Sequence, residues 1–247
     1  MSKDWQEFLK KIEIELRSHP VDFLSQKTIS YTVHPNFSGN VMSSPIYRDM
    51  LKLDFFENLK DPAFGKPHLG FDNQYSISTI QSAYYIDILK KEGYGPETLS
   101  HITDIGAGYG NLCRSFYKTG FAGRYQAIDF PIMGKMQKKW LDNTLGKGHD
   151  YNIREMTPQN LLPSNEKSLI IGTFSINEMP MSERSKLESF YHMYDFMLIA
   201  FKDNANFGVD NLPYFETLMD NLDSSHELKI TKCPYFKNNR FLLGKKK

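Results

Sequence analysis

The stretch Ile102-Thr103-Asp104-Ile105-Gly106-Ala107-Gly108-Tyr109-Gly110-Asn111 decides how this chain is read. A short apolar run ends in alternating glycines, and an amphipathic run with Leu112, Cys113, Phe116 and Tyr117 follows. That pattern predicts a buried strand, a tight turn and a helix beginning near Asn111. Gly106, Gly108 and Gly110 let the backbone turn sharply and come close to a ligand. A helix opening at that point aims its first N–H groups at the same ligand.

Downstream the alternation continues. Residues 124–130 read as a second strand ending Ala127-Ile128-Asp129-Phe130-Pro131, and Pro131 opens a helix bearing Ile132, Met136, Trp140 and Leu145. A weaker strand is expected over 151–155 and a clear one over 168–174. A helix over 182–194, a strand over 196–201 and a helix over 213–222 come next. The end reads as a hairpin, 227–233 and 240–243, around Lys237-Asn238-Asn239. The expected fold is α/β, with a mostly parallel sheet covered on both faces and an antiparallel C-terminal edge strand.

Upstream the period is helical. Trp5, Phe8, Leu9, Ile12 and Leu16 share one face of a first helix, with Asp4 and Glu7 as a capping box. A second helix is expected from Ser44-Pro45, carrying Tyr47, Met50, Leu51, Phe55 and Leu59. Residues 60–75 read as loop and 79–91 as a third helix. The chain thus divides into an N-terminal helical cap, 1–97, and an α/β domain, 98–247.

Composition narrows the function. The 247 residues carry 30 Lys and Arg against 29 Asp and Glu, a net charge of +1. Such a balance supplies no pull toward nucleic acid or an anionic membrane. Cys113 and Cys233 are too few for a disulfide framework or a zinc cluster. The start shows no signal pattern and no apolar run approaches the ~20 residues that span a bilayer, so a cytoplasmic protein without stable membrane insertion is expected.

A glycine-rich turn alone also serves dinucleotide enzymes, but the spacing here is G-x-G-x-G, and the third glycine of G-x-G-x-x-G would fall at Asn111. Asp104 lies two residues before Gly106. A carboxylate there suits a ligand carrying an ammonium and a sulfonium better than a pyrophosphate. Asp129, at the tip of the second strand, stands 23 residues beyond Gly106, near the roughly 20 expected of an acid that accepts from ribose hydroxyls.

Asp104-Ile105-Gly106-Ala107-Gly108-Tyr109-Gly110 resembles motif I of class I methyltransferases, which have a Rossmann-like catalytic domain. Together with Ala127-Ile128-Asp129-Phe130-Pro131 and Phe174-Ser175-Ile176-Asn177-Glu178-Met179, it resembles more narrowly a bacterial family of sugar O-methyltransferases. The likeness covers roughly residues 66–205, and Ala107 stands where that family commonly has a second glycine. The resemblance implies S-adenosylmethionine as cofactor, with Asp104, Gly106, Ala107, Gly108, Tyr109 and Gly110 around its methionine end. Asp129 and Phe130 would lie at the ribose, Met156 and Thr157 at the adenine, and Ser175 at the reaction cleft. It also implies a small sugar-type acceptor, nucleotide-linked or part of a surface polysaccharide, or a phosphate-like variant.

Ligands of such sheets bind beyond the carboxyl ends of the strands. His101, His149 and His226 precede strands and His192 ends a helix, so all are expected at the wrong end. Glu178, just past the fourth strand, is the candidate base, with helix capping as its alternative role. His68, in Gly65-Lys66-Pro67-His68-Leu69-Gly70, is the second candidate, able to fold over the site. Tyr109, inside the loop, is the candidate for stacking on a ligand. No metal site is expected, since Asp203 and Asp210 read as loop acids. The aromatic N-terminal cap offers a surface for a homodimer. The rival readings are an NAD-dependent oxidoreductase, a nucleic-acid methyltransferase, for which the motif after the fourth strand is wrong, and a cofactor-binding protein without catalysis.

Overall fold

The computed structural model describes residues 3–32, 45–70, 73–163, 167–203 and 210–247. Its centre is a seven-stranded sheet: β1 (His101–Ile105), β2 (Arg124–Ile128), β3 (Tyr151–Arg154), β4 (Ser168–Thr173), β5 (Phe196–Lys202), β6 (His226–Lys232) and β7 (Asn239–Lys246). The order is β3-β2-β1-β4-β5-β7-β6. The first five strands are parallel, and β7 pairs antiparallel with β5 on one side and β6 on the other. The C-terminal hairpin therefore closes one edge, with its return strand on the inside. Strand order reverses between β1 and β4, the place where open parallel sheets leave a crevice for ligands.

The period-2 alternation of the strands builds two cores. Ile102, Tyr125, Leu169, Ile171, Leu198 and Ala200 face one side. Ile105, Ile128, Ile170, Ile199 and Phe201 face the other. The second face is covered by α7 (Met181–Tyr191) and α8 (Asn211–Leu222) through Leu187, Tyr191, Phe215 and Leu218. The first is covered by α4 (Ile77–Lys91), α5 (Asn111–Lys118) and α6 (Pro131–Thr144). The same cluster takes in Ile12 and Leu16 of α1 (Lys3–Ser18), Ile29 of α2 (Lys27–Thr32), and Ile46 and Met50 of α3 (Pro45–Met50). The helices before β1 thus share the core of the sheet.

Two local expectations are corrected. The first helix already includes Lys3 and Asp4, so Asp4 is not its N-cap. The second helix stops at Met50, leaving Leu51 exposed, and Phe56 and Leu59 reach the core from a separate 3-10 turn, Phe56–Leu59. The helix opens at Pro45 as expected; Ser44, just before it, and His34 lie outside the described residues. α2 has no local start signal because its cap is remote: the Glu15 carboxylate of α1 accepts from the N–H groups of Thr28 at 2.9 Å and Ile29 at 3.0 Å.

α4 is fixed by a polar network. Ser76 is its N-cap, accepting from the Thr79 N–H. Asp61 accepts from the Ser76 N–H at 2.6 Å and the Thr79 hydroxyl at 2.9 Å. Asn111, the first residue of α5, donates its amide N–H to the same hydroxyl at 3.1 Å. Arg114, almost fully buried on α5, donates to the carbonyls of Leu59, at 3.2 Å, and Lys60. Among the described residues these carbonyls accept from the charged group, and Asp61 lies close enough to favour its charge. Arg114→Met should lower the free energy of unfolding by about 3 kcal/mol, because it strands buried carbonyls and Asp61. Urea denaturation measures this, and an unchanged midpoint would contradict the assigned role.

Candidate active site

Gly106 ends β1 in the left-handed region, with φ +73°, and its N–H donates to the Ile128 carbonyl at 2.8 Å. A Cβ on Gly106 would lie 2.2 Å from the Cβ of Ser175. Both the turn and this approach therefore require glycine. Ser175 itself donates its hydroxyl to the Ile105 carbonyl, which ties the tip of β4 to the tip of β1. Between β4 and Ser175, Phe174 holds φ +68°, an unusual value for a bulky residue. Such a residue stores strain of about 1–3 kcal/mol and marks a place over-determined by its surroundings.

The second half of the loop is organised by Asp129. One carboxylate oxygen accepts from the Gly108 N–H at 3.2 Å and the Gln137 amide at 3.0 Å. The other accepts from the Phe130 N–H at 2.8 Å. Gln137 also donates to the Gly108 carbonyl at 3.0 Å, so loop, strand tip and α6 form one hydrogen-bonded unit. A carboxylate has about four acceptor positions, and three are used, which leaves one for a ligand. Burial pushes the Asp129 carboxyl up to about 7, aided by the nearby Asp104 and opposed by its hydrogen bonds.

These parts enclose a cavity of about 880 Å³. Gly106, Ala107, Gly108 and Tyr109 border it at the turn, and Asp129, Phe130, Glu155 and Met156 on the β2–β3 side. Phe174, Ser175, Glu178 and Met179 border it beyond β4. Trp5 and Thr32 add to the wall from the N-terminal helices, and α4 presents Ser78, Gln81, Ser82 and Tyr85. Asn111 lines it too, with its side-chain oxygen buried and without a partner.

Most of the expected site residues converge here, but four do not line the cavity. Asp104 is 1% exposed and lies below the loop, on the face of β1 that meets Tyr125, whose hydroxyl it accepts at 2.7 Å. Its other oxygen has no partner among the described residues, and burial raises its carboxyl to about 7. Gly110 caps α5 in the left-handed region. Thr157 stands at the start of the 3-10 turn Pro158–Leu161. His68 is half-buried and away from the cavity wall. Tyr109 borders the cavity but is 2% exposed and packs edge-on against Trp140 at 5.1 Å, so it cannot serve as a stacking platform. The histidines at the far ends of strands are placed as expected: His101 is buried at the start of β1, and burial depresses it to about 4.

Glu178 sits in the 3-10 turn Ile176–Glu178, faces the cavity and accepts no hydrogen bond among the described residues. It does not cap α7, whose N-cap is Pro180 with no side-chain bond. Burial raises its carboxyl, with Lys202 opposing. Asp203 is instead paired with Arg240, and Asp210 caps α8. Among the described residues no group of His, Cys, Asp and Glu is arranged to hold a metal ion, and no helix is long and apolar enough to cross a membrane.

The α4 face and Trp5 were not anticipated. Ser78, Gln81, Ser82 and Tyr85 do follow helical spacing within an otherwise apolar helix, which is a legible signal for a polar stripe. Trp5 stands 6.0 Å from Phe130 ring to ring, a contact across most of the fold that no local pattern announces.

No family model matches the chain, and no curated protein matches its sequence. Solved structures do resemble it. The methyltransferase domain of bacterial CtHen1 aligns with a TM-score of 0.53 at 9% identity, covering 67% of this chain and 97% of that one. Magnesium protoporphyrin IX methyltransferase from Synechocystis PCC 6803, with S-adenosylmethionine bound, aligns with a TM-score of 0.53 at 14% identity, covering 86% and 100%. This is the Rossmann-like methyltransferase fold. An O-methyltransferase family protein from Burkholderia thailandensis shares it with a TM-score of 0.50 at 9% identity, over 69% of this chain and 60% of that one. At these identities the likeness is one of fold.

The closeness of Gly106 and Ser175 makes a paired test. Gly106→Ala should destabilise the protein by about 2–4 kcal/mol through overpacking and left-handed strain. Adding Ser175→Gly should recover all but about 1–2 kcal/mol, the part due to backbone strain. Thermal or urea unfolding of both variants measures this, and purely additive losses would contradict the contact.

Proposed function

We propose that this protein is an S-adenosylmethionine-dependent O-methyltransferase that acts on a hydroxyl of a sugar-type acceptor. The observation that carries the cofactor reading is the bond from the Gly108 N–H to Asp129. In a dinucleotide site the glycine-rich turn offers its N–H groups to a pyrophosphate. Here the protein's own carboxylate takes that donor, so an anion is disfavoured and a cationic, ribose-bearing ligand is favoured.

The residues present fit such a ligand. Asp129 keeps one acceptor position for a ribose hydroxyl. The orphaned oxygen of Asn111 can accept from the ammonium. Met156 and Phe130 supply apolar surface for adenine. A volume of about 880 Å³ is near the top of the range for small-ligand sites, about 300–1,000 Å³, and accommodates two ligands.

When bound, S-adenosylmethionine supplies an electrophilic methyl group, and the acceptor oxygen takes that methyl as the bond to sulfur breaks. Glu178 accepts the hydroxyl proton, for which burial and the lack of hydrogen-bond donors suit it. Ser78, Gln81 and Ser82 offer neutral hydrogen-bonding groups and Tyr85 an aromatic edge, a set suited to a polyhydroxylated acceptor. Holding oxygen and methyl in line is the main contribution of such a wall.

Two predictions follow from these assignments. Ligand hydroxyls bind the ionised form of Asp129, whose free-state carboxyl titrates at about 7. Affinity for S-adenosylmethionine should therefore rise through neutral pH and level off above it, weakening by up to about tenfold per unit below pH 7. In Asp129→Asn the affinity should be weaker and its dependence on pH shallower. Calorimetry at about pH 6 and about pH 8 reads this; a wild-type affinity that improves on acidification sinks the assignment. Glu178→Gln should lower kcat about 100-fold or more and remove the acidic limb of the pH–rate profile, with little change in KM for S-adenosylmethionine. An unaltered kcat would exclude Glu178 as the base.

A further inference from the structure

We infer that the acceptor enters the cavity as an uncharged hydroxyl compound, and that the site rejects acceptors carrying phosphate or carboxylate beside the reacting hydroxyl. This inference rests on the methyltransferase reading and narrows it. The cavity wall contains the carboxylates Asp129, Glu155, Glu178 and Glu183, and among the described residues it contains no Lys or Arg. Residues outside the described ranges carry no Lys or Arg in the sequence. Two cations act on wall residues without lining the cavity, and Lys202 lies 5.9 Å from the centre of the Phe174 ring. Lys186 pairs with Glu183 at 2.8 Å from the outer side of α7, and exposed Lys202 acts on Glu178 without forming an ion pair with it.

Recognition of a phosphate relies on Arg or Lys, or on free N–H groups at a turn or helix start. At the turn, the Gly108 N–H is already given to Asp129. A second observation points the same way. Asn111, a residue of the wall, spends an amide N–H on Thr79, and its buried oxygen can only accept. Ser82, also buried, donates to the Ser78 carbonyl at 2.8 Å, which leaves its oxygen to accept as well. The four carboxylates of the wall and the Ser82 oxygen accept from donors, which hydroxyl groups have and a phosphate dianion lacks. A nucleoside diphosphate, or a sugar phosphorylated near the acceptor position, would meet carboxylates of its own sign and unpaired acceptors. A neutral glycoside, or the neutral end of a polysaccharide chain, meets neither.

The test is 31P NMR of inorganic phosphate and of glucose 6-phosphate added to protein saturated with S-adenosylhomocysteine, beside Gln81→Arg, which places one cation in the wall. The wild-type protein should leave both lines sharp, and Gln81→Arg should broaden them. Broadening by the wild type, or none by a folded Gln81→Arg, would overturn the inference. Alongside, labelled S-adenosylmethionine is offered with matched neutral and phosphorylated sugars, and label in any phosphorylated member would also overturn it. If S-adenosylhomocysteine fails to bind, the cofactor reading falls by itself, and the same phosphate lines recorded on the unliganded protein still decide the charge preference.

Discussion

The site depends on one close approach. Ser175 occupies the space that a side chain on Gly106 would need, and it hydrogen-bonds the Ile105 carbonyl. That contact joins the tips of β1 and β4, the two strands between which the sheet changes direction. A longer side chain at 106 would part them and open the crevice from below. Because they are joined, the chain leaving β4 turns through Phe174 in a left-handed conformation and brings Glu178 to the cavity. The strain at Phe174 is tolerated because the strand behind it is anchored, with its N–H on the Ala200 carbonyl at 2.9 Å.

Electrostatics gives the site its direction. Asp104 and Asp129 lie near each other beneath and beside the turn, and burial raises both carboxyls to about 7. Neither has a Lys or Arg partner among the described residues. Two carboxylates in that state are stabilised by a cation more than by any other ligand. A sulfonium or ammonium supplies that charge, whereas a dinucleotide would add to the repulsion.

What was legible in the sequence was local. The turn from β1 to α5, the placement of Asp129 at the end of β2 and the apolar strands all follow from neighbours within a few residues. The parallel sheet follows from their alternation. What was not legible depends on residues far apart in the chain. The burial of Asp104 is set by Tyr125, the packing of Tyr109 by Trp140, and the start of α2 by Glu15. The second helix was drawn too long because Leu51, Phe55 and Leu59 keep a helical period while the backbone turns away between them. The stripe on α4 was within reach, since its polar residues recur at helical spacing.

The central claim is that the glycine turn and Asp129 bind S-adenosylmethionine and not a dinucleotide. Parallel calorimetric titrations of the whole chain with S-adenosylmethionine and with NAD test it most directly. The account predicts saturable binding of the former, with Kd on the order of micromolar, about −8 kcal/mol, and no heat of binding from the latter. Saturable binding of NAD, or silence with S-adenosylmethionine, would contradict it and leave the fold without this function.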